Sequence, residues 1–327
     1  MLRREFIAGL GSAAAWPTAA RAQEAERVRR IGMLEAGAET ERFVQDRQGA
    51  MRGALAKLGW IEGRTVRFDL RFSASDADLM RAYAEELVRL APDVIVVAGG
   101  PVAQALLERT STIPIVFTNL GDPVALGLLK NIARPEGNAT GITSVYQSFG
   151  AKRLELLKEL APRTTRLALV FAPGIVNDQY FGVIDAAAEV LGVKAIRTPY
   201  HNATGPERAI DTFAAEPNGA LVMLPPPPSP SNRQLINRLA LKYRLPTIYS
   251  SKPFVAEGGM MSYGSDSVEA FRVAASYVDR ILRGAKVSEL PVQFPAKFEF
   301  VINLKTAKAL GLTIPETLLA TADEVIQ

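Results

Sequence analysis

The sequence predicts an α/β protein built as two doubly wound parallel-sheet lobes joined by three crossovers. Three observations point there. From Arg29 onward short β-branched runs alternate with longer segments of helical period. Runs such as DVIVVAGG are apolar throughout, as strands buried on both faces of a parallel sheet are. A stretch rich in Pro, Gly and Asn, Ala133 to Ser144, interrupts the alternation, which then restarts.

RRIGML is the first predicted strand, and a helix follows over about Glu41 to Leu58, with Val44, Met51, Leu55 and Leu58 on its apolar face and Gly59 as its stop. TVRFDLRF alternates as the second strand. The next helix takes its cap from Asp76 or Asp78, buries Met80, Tyr83, Leu87 and Leu90, and ends at Pro92. DVIVVAGG, a helix around Val102 to Arg109, IPIVFTN and a helix opening at PVALGLLKNIA complete the first series. The second series runs AKRLELLKELA, RLALVFAP, a helix around Gln179 to Leu191, VKAIRTPY, a helix around Pro206 to Ala215, GALVMLPPPP, a helix around Asn232 to Tyr243, and LPTIYSS. The two series share a pattern without sharing residues, which duplication and convergence explain equally well.

After Ser251 too little chain remains for a third domain, so GGMMSYGSD, the helix DSVEAFRVAASYVDRILRG and FEFVINLKTAKALG are expected to complete the two lobes. Crossings are expected at the Ala133 to Ser144 stretch, near Ser251 to Ala256 and near Leu290 to Ala296. That divides the chain into residues 28–140 with 256–290, and 141–255 with 291–327.

Residues 1–22 read as a cleaved export signal: Arg3 and Arg4, a short apolar middle, Pro17, and small Ala20 and Ala22 before the cut. The apolar stretch is too short to span a membrane, and Gly9, Gly11 and Ala14 lack the strand a dinucleotide turn requires. The Arg-Arg-Glu-Phe-Ile order is like a twin-arginine signal, with an ordinary secretory signal as the alternative. Three arginines and one glutamate leave with the segment, so a net charge of +4 falls to +2, and nothing in the balance calls for nucleic acid. There is no cysteine, which excludes disulfides, thiolate metal sites and thiol nucleophiles, and His201 is the single histidine, in a polar turn-rich stretch. No motif for a cofactor or metal occurs, so none is expected.

In open parallel sheets ligands bind beyond the carboxyl ends of the strands. That rule selects Glu35, Phe72, Gly99, Gly100, Pro101, Asn119 and Asp122 in the first lobe, and Pro173, Ser229 and Tyr249 in the second, with Tyr263 beside them. Gly99 and Gly100 before a helix suit a carboxylate or simply make the turn. Asp122 and Asn119 suit a ligand donor or cap a helix. Phe72, Tyr249 and Tyr263 are apolar walls or core.

FVQDRQGAMRGALAKLGWIEGRTVRFDLRF, AEELVRLAPDVIVVAGGP, TSTIPIVFTNLGDPVALGLLKNIARPEGNATGIT, AKRLELLKELAP and LPVQFPAKFEFVINLKTAKALGLTIPETLLATADEVI resemble, in this order, the ABC-transporter substrate-binding family that includes tryptophan-binding-type receptors. The resemblance implies a type I periplasmic-binding fold that closes on a small organic solute, an aromatic or aliphatic amino acid or a carboxylate. It implies delivery to an ABC permease in the inner membrane by a periplasmic monomer without catalysis. It supports Gly99, Gly100, Asn119 and Asp122 as contacts of one lobe, and the loops near Pro173, Ser229 and Tyr249 as contacts of the other. Two departures bear on the solute: Ala172-Pro173 stands where relatives often have Asn-Pro, and Pro225 to Pro228 offers no polar side chain before Ser229. The alternatives are an exported α/β enzyme using Asp122 with a tyrosine or lysine, and a sensor component that binds in the same way but signals to a membrane partner.

Overall fold

A computed structural model describes residues 27–124, 126–144, 148–172, 178–200, 205–224 and 230–327. The export-signal expectation and His201 fall outside the described residues, as do Pro173 and Ser229.

Five strands form the first sheet: β1 (Arg29–Glu35), β2 (Val66–Phe72), β3 (Val94–Ala98), β4 (Ile115–Leu120) and β5 (Ala139–Thr143), in the order β2-β1-β3-β4-β5, all parallel. Parallel neighbours need a crossover, and helices α1 (Arg42–Lys57), α2 (Ala77–Arg89) and α3 (Gly100–Leu107) supply those between the first four. Asp76 caps α2 as expected, accepting from the N–H groups of Asp78 and Leu79 at 2.8 and 2.9 Å. Among the described residues of Pro123–Ala133 no helix follows β4. A single turn closes with Leu128 and Leu129 donating to the Pro123 carbonyl, and Gly127 at φ +69° ends it.

Helices α4 (Ser148–Leu160), α5 (Asp178–Val190), α6 (Gly205–Ala214) and α7 (Pro230–Lys242) alternate with β6 (Arg166–Phe171), β7 (Lys194–Pro199), β8 (Gly219–Met223) and β9 (Thr247–Tyr249). The second sheet then gains β10 (Met261–Ser265), β11 (Phe298–Asn303) and β12 (Glu324–Ile326), in the order β12-β11-β10-β9-β8-β6-β7. Helix α8 (Lys252–Ala256) precedes β10, α9 (Ser267–Leu282) follows it, and α10 (Leu304–Ala309) and α11 (Glu316–Thr321) close the chain.

Each sheet is covered on both faces. One face of the first sheet packs Ile31, Met33, Val94 and Val96 against Met51 and Leu55 of α1 and Phe271, Tyr277 and Val278 of α9. The opposite face packs Leu34, Val97 and Phe117 against α2 and α3. In the second sheet Leu169 and Val222 meet α4 and α5, whereas Val170 and Met223 meet α6 and α7.

The first two crossings differ from the expected positions, and the third falls within the expected Leu290 to Ala296 stretch. The Pro/Gly/Asn-rich stretch contains β5, wholly buried in the first sheet, and Gly141 is required there because a Cβ would lie 2.0 Å from the Phe117 carbonyl oxygen. The chain therefore leaves the first sheet after Thr143. Residues 251–256 hold α8 within the second lobe, and β10 belongs to the second sheet, so the next crossing falls at Ser265 to Ser267. The third follows Gln293, which still pairs with β5 through Gln293 N–H to Gly141 O and Thr143 N–H to Gln293 O, both 2.9 Å. One pairing also breaks the parallel rule: β11 is antiparallel to β10, with Ser265 opposite Phe298, and β12 follows the direction of β11. The chain leaves the second sheet at Ser265 and re-enters beside the same point, so the returning strand runs in reverse.

At the pivot the crossings bond to one another. Ser265 Oγ donates to the Ser144 carbonyl at 3.4 Å, Asp266 N–H to the Lys297 carbonyl at 3.2 Å, and Lys297 Nζ lies 3.1 Å from the Asp266 carboxylate.

Candidate functional site

At the carboxyl edge of the first sheet the backbone is bent into left-handed conformations at several successive strand ends. Ala74 and Ser75, just beyond β2, have φ of 48° and 64°. Gly99, beyond β3, has φ 112°, and Asn119, near the end of β4, has φ 51°. A non-glycine residue in this region is sparsely populated and needs surrounding structure to hold it. Here Ser75 N–H donates to the Ala36 carbonyl at 2.7 Å, and Ser73 N–H to the Glu35 carbonyl at 2.9 Å. Asn119 sits where the register between β4 and β5 shifts, between Phe117 and Leu120, which turns it out of the ladder and leaves it half-buried.

Gly99 N–H is taken by the Thr118 carbonyl at 3.0 Å, which fixes the turn into α3. The first-turn N–H groups of Gly100 and Val102 have no partner within the helix, and the glycine N-cap has no side chain to cover them. Pro101 is exposed and adds no donor. Asp122, half-buried, accepts from Val124 N–H at 2.9 Å, so it shapes the turn after β4. Gly99, Gly100, Asn119 and Asp122 thus line one edge of one sheet, and Phe72 ends β2 on the same edge, paired with Glu35.

Three expected residues have side chains committed to partners within their own lobes. Glu35 is 1 % exposed, and its carboxylate is taken by Arg47 of α1, with Arg47 Nε 3.3 Å from Oε1 and Nη2 on Oε2. Burial pushes this carboxyl above its ordinary value against the pull of the guanidinium. Tyr249 is fully buried, stacked on Phe254 with centroids 4.4 Å apart, and donates its hydroxyl to Asn237 Oδ1 at 2.6 Å. Its phenol is pushed far up by burial, and it is core rather than wall. Tyr263 lies in the middle of β10, edge-on to Phe149 at 5.8 Å and Phe300 at 6.4 Å, in an aromatic cluster of the second lobe beside the pivot.

Sequence reasoning missed a cluster that joins the two sheets. Glu41 precedes α1, at the carboxyl end of β1, and Arg233 lies in the first turn of α7, at the carboxyl end of β8. Arg233 Nη2 is 2.6 Å from Glu41 Oε2, with the two side chains 4 % and 9 % exposed. The other Glu41 oxygen accepts Ala38 N–H at 2.7 Å, and Arg233 also holds Glu257 of its own lobe at 3.0 Å. Both Arg47 and Arg233 lie over the Phe43 ring, at 4.8 and 5.5 Å. Burial works to lower the Arg233 pKa, and the bonds from Glu257 and Glu41 outweigh it and hold it raised. No local signal marks this pair, because its partners are 192 residues apart. The contact has a geometric consequence: the loops beyond the carboxyl ends of β1 and β8 are brought together.

Residues 39–326 match the family model described as ABC transporter substrate binding protein. The chain belongs to that family. A tyrosine-binding protein of Clostridioides difficile strain R20291 is 27 % identical over 266 residues, covering 79 % of this chain and 74 % of that protein. Among solved structures, a conserved domain protein from Vibrio cholerae superposes with TM-score 0.84 at 27 % identity, covering 91 % of this chain and all of that one. An ABC domain in complex with L-Trp from Streptococcus pneumonia gives 0.83 at 23 % identity, covering 92 % of this chain and all of that one. A substrate-binding protein with adhesive properties from Clostridium difficile, in its ligand-free open form, gives 0.69 at 22 % identity, covering 92 % and 99 %. The fold is the type I fold of periplasmic solute-binding proteins, and the chain is a substrate-binding component of an ABC transporter rather than an enzyme.

Proposed function

We propose that this protein captures a small amino acid of the aromatic class between its lobes, by hinge closure, and hands it to an inner-membrane permease. The observation that carries the reading is the approach of the two carboxyl edges at Glu41 and Arg233, with the uncapped first turn of α3 and the half-buried Asn119 on one of them. The uncapped N–H groups of α3 suit the carboxylate of an amino acid, and Asp122 beyond β4 suits its ammonium. The relatives named for tyrosine and bound to tryptophan support the aromatic class. The better superposition on the tryptophan-bound chain than on the open one supports a drawn-together cleft.

In this reading residues 1–22 direct export, through the twin-arginine route, and the mature chain works in the periplasm as a monomer. Ligand binding energy shifts the open–closed equilibrium by its preference for the closed form. Purified mature protein is expected to gain about 2.7 kcal/mol of stability at roughly a hundredfold excess of the right solute over Kd. Melting in the presence of tyrosine, tryptophan, phenylalanine, aliphatic amino acids and short carboxylates measures this. No shift with any of them would overturn the amino-acid reading.

A further inference from the structure

We propose that Glu41 and Arg233 form a clasp that sets how readily the lobes close, making both positioning residues for ligand capture although neither needs to touch the ligand. This rests on the reading of the interlobe cleft as the ligand site. Arg233 is held within its own lobe by Glu257, through Nε to both carboxylate oxygens at 3.2 Å and through Nη2. Glu41 comes from the other lobe and adds a second carboxylate to the same guanidinium. The chemistry is asymmetric between states. With the lobes apart, Arg233 keeps Glu257, and Glu41 keeps the Ala38 N–H, so each side remains hydrated or partnered.

With the lobes together the Glu41–Arg233 pair is nearly dry, and its attraction acts in a lower dielectric than water provides. Desolvation opposes that gain, but Phe43 under the guanidinium, the Ala38 N–H and the charge-assisted geometry at 2.6 Å offset it. Close charge pairs across interfaces couple strongly enough to move an equilibrium tenfold or more. A ligand then closes lobes that already carry part of the closing free energy, and the apparent Kd follows the closed fraction.

The absence of native cysteine allows a direct test that needs no ligand. Asp46→Cys on α1 and Arg238→Cys on α7, both exposed, carry spin labels that report the interlobe distance in the full mature protein. Glu41→Gln is expected to move the distance distribution toward longer separations, with the closed-to-open ratio falling roughly tenfold. Glu41→Lys, which sets a like charge against Arg233, should open the lobes further. Glu257→Gln removes only the partner within the lobe and should not lengthen the distance. A distribution unchanged in both Glu41 variants overturns the clasp, and so does Glu257→Gln opening the lobes as far as Glu41→Gln. Because these distances are read without solute, failure of the clasp is separable from failure of the amino-acid reading, which the melting screen decides. For any solute that screen identifies, the Kd of Glu41→Gln should rise by the factor by which its closed fraction falls.

Discussion

Two buried acid–arginine pairs built on the same helix, Glu35–Arg47 and Glu41–Arg233, have the same chemistry and different consequences. Arg47 reaches back from α1 to the end of β1, so its pair lies wholly inside the first lobe and persists whatever the lobes do. Arg233 reaches across from α7, so its pair exists only while the lobes meet. The difference teaches that burial alone does not say what an ion pair stabilises. What matters is whether both partners stay buried together in every state the protein visits.

The sharpest way to break the comparison is Arg47→Ala. It leaves the Glu35 carboxylate uncompensated at 1 % exposure and should cost about 3–5 kcal/mol of folding stability in urea unfolding. Spin-labelled molecules that remain folded should show the parent interlobe distances. If Arg47→Ala opened the lobes while leaving stability intact, the two pairs would have exchanged their assigned roles.

Asp266 stands between the two cases, capping α9 of the first lobe while bonding Lys297 in the third crossing. Burial alone would raise its carboxyl, but the N–H groups of Glu269 and Val268 and the Lys297 ammonium hold it below its ordinary value. A depressed carboxyl contributes stability that is fully present above the unfolded value of 3.8 and lost as pH falls through the folded value. Asp266→Asn should therefore remove part of the acid-induced loss of melting temperature below that range. At neutral pH it should cost about 1 kcal/mol as the cap and ion pair weaken. A pH profile identical to the parent's would show that the cap, rather than the charge, is what matters.

Asn119→Gly is expected to have the smallest effect on stability, within a few tenths of a kcal/mol, because glycine adopts the left-handed backbone freely. Its effect should appear instead in the ligand-induced melting shift, which loses the Asn119 amide. An unchanged shift would make Asn119 a turn residue only.

Much of the fold was legible in the sequence because apolar period is a local signal, and β1 through β4 with α1 to α3 follow it closely. The β5 segment was misread as a linker, since Ala139-Thr140-Gly141-Ile142-Thr143 lies among turn residues and owes its burial to Phe117 and Gln293. The helix expected after β4 is one turn, stopped by a glycine that local periodicity does not register. At the candidate site, strand-end logic places Gly99, Gly100, Asn119 and Asp122 on the edge where the structure has them, and treats Glu35 and Tyr249, at equivalent strand ends, in the same way. Their fate depends on Arg47 and Asn237, which are partners chosen in three dimensions. Glu41 and Arg233 were invisible for the same reason.

Helix α9 closes the first lobe from far down the chain, with Trp60 Nε1 donating to Asp279 across 219 residues. A ribosome therefore delivers the first sheet with one flank covered by α1 alone, the part that α9 completes remaining open until the whole second series of helices and strands has been made. The first lobe thus completes its core only after the second lobe, which lies between its two halves in the chain, has been made, and the second must form without blocking the arrival of its neighbour's last helix.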